Sequence, residues 1–214
     1  MRYSENLEFR KITALLWVLV LFPAALLGQS TPQFEALKER FDRQQIFVAE
    51  FTHEFKDAFT GERQLTEGEI FVGKERYRML SGNNVMLVEN ELSKVYDSSR
   101  NRVILSDYDE EEDDFAPSRM LQGVADHFLA SERTLQGGEL LITLTSNDPF
   151  SLFDAVVITL DRSGIPLSIE ATDQVENRLT TRFYAGRFAV DDDQFFEFSY
   201  PEDAEWIDLR DENP

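Results

Sequence analysis

Apolar and polar positions along the chain keep two different rhythms. After Thr31-Pro32, a hydroxyl suited to an N-cap and a proline suited to a first turn, Phe34, Leu37 and Phe41 recur at i, i+3 and i+7. That spacing predicts a helix of about three turns with one oily stripe. From Ile46 the period becomes two: Phe47, Ala49, Phe51, His53 and Phe55 alternate with Val48, Glu50, Thr52, Glu54 and Lys56. This is a strand with one apolar face.

Asp57 to Thr66 reads as a polar connection, and a second strand begins near Gly68 and resumes over Tyr77–Leu80. Ser81-Gly-Asn-Asn84 is turn chemistry, after which Val85–Glu89, Leu92–Tyr96 and Arg102–Ser106 form a meander of short strands. The pattern breaks at residues 107–114, where seven of eight positions are acidic. Beyond it Ala116-Pro117 leads a segment in which Leu121, Val124, Ala125, Phe128 and Leu129 fall at helical spacing. Strand patterns return over Leu140–Thr145, Ala155–Leu160, Pro166–Thr172, Leu179–Val190 and Gln194–Tyr200, with Asp161-Arg-Ser-Gly164 the clearest turn. So many antiparallel strands in one sheet curl or close, and two amphipathic helices are available to cover the hollow side. The expected fold is mainly β (α+β): a half-open antiparallel β-barrel of about ten to eleven strands, with a helical lid over an apolar cavity.

The N-terminus changes the picture of where this domain works. Arg2, Arg10 and Lys11 precede an uncharged run, Ile12–Gly28, broken by Pro23 and ending in small residues. This reads as an export signal cut between about 28 and 30, because roughly 20 apolar residues are needed to span a bilayer. Residues 29–214 are then a single domain, exported to the periplasm.

Composition removes whole classes of function. With 21 Lys+Arg against 41 Asp+Glu the net charge is −20, which disfavours nucleic acid. The 18 Phe argue against a disordered acidic chain. There is no Cys, so thiol catalysis, disulfides and Cys-based zinc sites are excluded. His53 and His127 come with no G-x-S-x-G or H-E-x-x-H motif, and no glycine-rich phosphate loop is present. The 107–114 run lacks the spaced ligands and glycine of a calcium loop and reads as a solvated, self-repelling loop. The acid surplus also fits a saline habitat. No metal, no cofactor and no enzymatic chemistry are expected. Whether side chains or a ligand fill a curled sheet stays open at this level.

The order of elements resembles the periplasmic outer-membrane lipoprotein carriers, the LolA-like family, over essentially Phe34 to Asp208. The Phe34/Leu37/Phe41 helix feeds Phe47-Val-Ala-Glu-Phe-Thr-His-Glu-Phe55. Gly68-Glu-Ile-Phe-Val-Gly-Lys-Glu-Arg-Tyr-Arg-Met79 is similar to the family's second strand pair. Val85 to Asp97 resembles its next hairpin, with Asn90-Glu91 where the family has Asp-Gly. Pro117-Ser-Arg-Met-Leu121 stands at its proline-led lid helix, Asp154 to Asp173 at its late strand pair, and Phe196-Glu-Phe-Ser-Tyr-Pro201 at its closing F-x-F-x-x-P.

The resemblance implies a monomeric carrier whose cavity shelters lipoprotein acyl chains. It takes cargo from an inner-membrane ATP-driven lipoprotein release complex and passes it to an outer-membrane acceptor. Lining candidates are Phe47, Phe51, Phe55, Ile70, Val72, Tyr77, Met79, Met86 and Val88 on strands, with Phe41, Leu121 and Val124 from the helices. The family's lid latch is a basic residue before proline; here the proline is missing, and Lys74, Arg76 and Arg78 are the candidates. Two rivals stand beside this reading. One is a carrier of another lipid or amphiphile; the other is a sensor with the same cavity, for which a further domain is expected.

Overall fold

In the computed structural model, residues 31–109, 121 and 128–210 are described. The expected export signal, most of the acidic run, Pro117 and candidate Val124 lie outside them.

Helix α1 (Pro32–Asp42) leads directly into the long strand β1 (Gln45–Lys56). A meander follows: β2 (Arg63–Val72), β3 (Arg76–Ser81), β4 (Asn84–Glu89), β5 (Leu92–Asp97) and β6 (Arg102–Asp107). From residue 128 onward, β7 (Phe128–Thr134), β8 (Leu140–Ser146), β9 (Phe153–Leu160), β10 (Pro166–Asp173) and β11 (Arg178–Val190) form a second meander. A 3₁₀ turn (Asp193–Phe196) and the short β12 (Glu205–Asp208) end the described chain.

All twelve described strands belong to one unclosed sheet, in the order β12-β6-β5-β4-β3-β2-β1-β11-β10-β9-β8-β7. The two meanders meet at β1 and β11, the longest pairing. There Ala185 and Gly186 together face the single residue Ala49, a bulge with Ala185 at φ +50°. Such a bulge bends a sheet and raises its twist. Gly186 leaves room for Phe47, whose ring would stand 3.0 Å from any added Cβ. Gly68 serves a similar purpose on β2, where a Cβ would overlap the carbonyl oxygen of Leu80.

Both faces of the sheet bury apolar residues. On one, α1 presses Phe34, Leu37 and Phe41 into a core with Phe47, Ile70, Ile142, Val156 and their neighbours. On the other, residues 193–204 cross the sheet as a strap. Phe196 joins Ile46 and Leu87, and Phe198 and Ala204 pack on Val85, Tyr96 and Val103. The strap delivers β12 to strand β6, the one parallel pairing among the described residues.

Four expectations are corrected. Phe128 and Leu129 are not helical: they open β7, where the partners Ser146 and Thr145 on β8 supply a ladder. With β7 and β12 the described strands number twelve instead of ten to eleven. Gln194–Tyr200 is not a strand, because Asp192 accepts the N–H of Gln194 and starts a 3₁₀ turn from which the strap runs on unpaired. Finally, Thr31 is the N-cap residue of α1, but its side chain makes no capping bond.

Candidate functional site

Antiparallel register carries one apolar face across the sheet. Phe47 stands opposite Val72, Val72 opposite Tyr77, and Tyr77 opposite Val88. The next row runs Ala49, Ile70, Met79, Met86, Val95 and Ile104. In the other direction Phe51 meets Phe183 and Phe55 meets Leu179, whose row continues through Ala171, Val156 and Leu144 to Ala130 on the edge strand. All nine strand candidates therefore share the face that α1 covers.

Cover on that face is uneven. Phe41 packs edge-on against Phe188 with ring centroids 5.6 Å apart, and Phe47 packs edge-on against Phe183 at 5.1 Å. Leu121 is fully buried in the same cluster. Phe55 and Met79 lie half-buried at its margin. Tyr77 and Val88 are buried, whereas Met86, Val95 and Ile104 are half-buried. The face thus changes from packed core under α1 to a looser methionine-bearing strip toward β4–β6. Methionine is unbranched and polarizable, so it fills irregular space and adapts to different neighbours.

A histidine interrupts this apolar surface. His53 lies between Phe51 and Phe55 on the same face, and its Nδ1 is 2.9 Å from the buried Thr181 hydroxyl. Burial pushes its pKa down to about 4, because an imidazolium there would lose its hydration. At neutral pH the ring is uncharged and offers a polar contact without a charge. Among the described residues no cluster of His, Asp and Glu could hold a metal ion.

The three latch candidates stand elsewhere. Lys74, in the β2–β3 turn, pairs with Asp42 at the end of α1 at 2.8 Å, and the carboxylate raises its pKa. Arg76 bridges Asp191 at 2.7 Å and Asp193 at 2.9 Å, with its guanidinium 4.0 Å from the centre of the Phe196 ring. Arg78 lies over Phe71 and donates to the carbonyl of Phe195, with its Nε buried and unpartnered among the described residues. On β3 these arginines alternate with Tyr77 and Met79, so they point away from the apolar face and hold the strap. Of the three candidates, Lys74 is the one paired with an α-helix among the described residues, through Asp42 of α1. Near α1, Phe41, Gln44, Lys74, Arg76, Glu89 and Asp191 help to line a polar pocket of about 350 Å³.

Residues missed in the sequence complete the face. Val95 and Ile104 follow the same alternation as Met86 and were findable from it. Ile142, Leu144, Val156 and Ile158 carry the row across the second meander. Glu132 had no local signal: its carboxylate accepts the N–H of Phe34 from 98 residues away.

No protein-family model matches the chain, and no curated protein matches it in sequence. Solved structures do. An uncharacterized conserved protein from Thermus thermophilus aligns over 84% of this chain and 99% of its own, with 12% identity and a TM-score of 0.53. The LolA superfamily protein NE2245 from Nitrosomonas europaea covers 77% of this chain and 97% of its own at 10% identity, TM-score 0.44. A putative outer membrane lipoprotein-sorting protein domain from Vibrio parahaemolyticus covers 77% and 94% at 11% identity, TM-score 0.44. The described chain is thus a mainly β protein built on one open, barrel-like sheet, and at a TM-score of 0.53 it shares its fold with the Thermus thermophilus protein.

Proposed function

We propose that the protein is a carrier that shelters the acyl chains of lipoproteins between two membranes. The observation that carries this reading is the single apolar face running from β6 to β7, looser at Met79, Met86, Val95 and Ile104 than under α1. A lipid anchor gains about 0.8 kcal/mol per buried CH₂ in a bilayer, so a courier must offer comparable shelter in water. Carrying requires no catalytic group and no cofactor.

In this reading the leader is removed near residues 28–30 and residues 29–214 work as one monomeric domain in the periplasm. Cargo arrives from the inner-membrane release complex and leaves to the outer-membrane acceptor, and the strip on β3–β6 shelters it in transit, with Leu121 and Val124 as further lining candidates.

Native mass spectrometry of the protein recovered from its producing cells tests the proposal. An adduct whose mass matches an acylated protein or peptide supports it. An adduct of another lipid turns the assignment to the rival amphiphile carrier, and adduct-free protein that takes up no lipopeptide contradicts both.

A further inference from the structure

Strand direction places three hairpin loops side by side at one end of the sheet: 57–62 between β1 and β2, 174–177 between β10 and β11, and 147–152 between β8 and β9. Each raises an apolar residue into solvent: Phe59 is 86% exposed, Val175 53% and Phe150 91%. The backbone device is the same in all three. An aspartate carboxylate accepts the N–H two residues on: Asp57 from Phe59, Asp173 from Val175 and Asp148 from Phe150, each at 2.9 Å. Such side-chain turns fix a loop locally. Elsewhere in the described chain the same turn presents a polar residue: Ser99, Ser163, Gln194 and Arg210.

The three loops are also tied together. Ala58 donates its N–H to Asn177 Oδ1 at 2.9 Å. The Gln174 amide reaches the carbonyls of Pro149 and Ser151 at 2.6 and 2.7 Å. The apolar tips therefore stand on a braced rim, their exposure set by hydrogen-bonded turns.

Neighbouring hairpins of one sheet are two strand spacings apart, so the tips project singly at roughly 10 Å intervals. A rigid protein partner would need three sockets at that spacing, whereas a fluid apolar layer needs none. The loops themselves carry Asp57, Glu62, Asp148 and Glu176; Lys56, Arg63, Asp173 and Arg178 flank them, and the chain's net charge of −20 turns it away from anionic surfaces. We infer that this end of the sheet docks on a zwitterionic lipid leaflet, with Phe59, Phe150 and Val175 inserted below the headgroups. The inference stands independently of the carrier reading, which concerns the face of the sheet and not its rim.

Flotation with vesicles of phosphatidylethanolamine and phosphatidylcholine provides the test. The Phe59→Ser/Phe150→Ser pair is expected to weaken partition about a hundredfold, roughly tenfold for each ring withdrawn from the lipid. Thermal unfolding stays unchanged, because both side chains are exposed. In vesicles with bromine-labelled acyl chains, the indole introduced by Phe150→Trp is quenched. The indole introduced by Val190→Trp, at the opposite end of β11, is not. Phosphatidylglycerol weakens binding at low salt, and added salt restores it. Wild-type protein that does not float, a double variant that floats equally well, or tighter binding to anionic vesicles overturns the inference and leaves the tips to a protein socket. Acyl-cargo binding in solution is read separately: its failure removes the carrier and leaves the docking result standing.

Discussion

The backbone N–H of Phe34 in α1 donates to Glu132 Oε1 on the edge strand β7 at 2.7 Å. One of the four N–H groups that a helix leaves unpaired at its start is thus satisfied by a carboxylate from the far edge of the sheet. The negative charge also complements the positive end of the helix dipole. This contact holds α1 across the apolar face, anchored at one end by chain continuity with β1 and at the other by β7.

Glu132→Ala is therefore expected to cost about 1 kcal/mol, the usual loss for a helix cap, although no residue near it in sequence is disturbed. Denaturant unfolding gives the magnitude. Hydrogen exchange gives the place: amides of residues 33–37 should lose protection while those of β1 keep theirs. Unchanged exchange in α1 would show that the carboxylate does not hold the helix.

His53 ties stability to pH. Its folded pKa of about 4 lies below the ordinary 6.5, so the unfolded chain binds the extra proton between those values. Stability from this site is full above pH 6.5, falls as pH drops toward 4 and levels off below. The full effect approaches about 3 kcal/mol, because each pH unit separating the two values is worth about 1.36 kcal/mol. His53→Phe removes the titration, so the difference in unfolding free energy between it and wild type should shift in its favour across that window. A constant difference would mean that the imidazole is not desolvated.

The β4–β5 turn departs from good turn chemistry in a way that can be repaired. Asn90 and Glu91 both sit at positive φ, +52° and +60°, as the two central residues of this hairpin type require. Asn tolerates that region; Glu is strained there. Glu91→Gly is expected to stabilise the protein by about 0.5–1 kcal/mol, read as a higher unfolding midpoint. No gain would mean that the turn relaxes to another geometry in solution.

At Gly68 the opposite holds. A Cβ would overlap the Leu80 carbonyl, which is backbone and cannot swing aside. Gly68→Ala should cost more than about 2 kcal/mol by forcing β2 and β3 apart. A neutral effect would contradict the close pairing of these strands.

How much of this was legible in the sequence depended on whether the deciding contacts were local. Phe34, Leu37 and Phe41 announce α1, and Phe47, Ala49 and Phe51 announce β1, because each pattern matches the period of one element over its whole length. Phe128 and Leu129 fit a helical period too, but so short a run fits a strand equally well, and pairing with β8 decided it. Phe196 and Phe198 alternate like strand residues, yet they are a strap laid on Leu87 and Val85. Asp191 just before that strap and Phe195 on it lie 115 and 117 residues from their partners Arg76 and Arg78, beyond any local signal. The face itself was readable wherever register could be counted outward from β1.

Burial separates the candidate lining residues into two kinds of probe. Tyr77 is only 1% exposed, so a charge there tests the fold as much as binding. Met79 and Met86 are half-buried on the same face and opposite one another, where a carboxylate can stay hydrated in the free protein. The most direct measurement is equilibrium binding of a fluorescent triacylated lipopeptide in solution, comparing wild type with Met86→Glu at matched circular dichroism. The account predicts that wild type binds and that the variant binds at least tenfold more weakly. Wild-type protein that ignores the lipopeptide, or a variant that binds it with equal affinity, would contradict the assignment of this face to acyl chains.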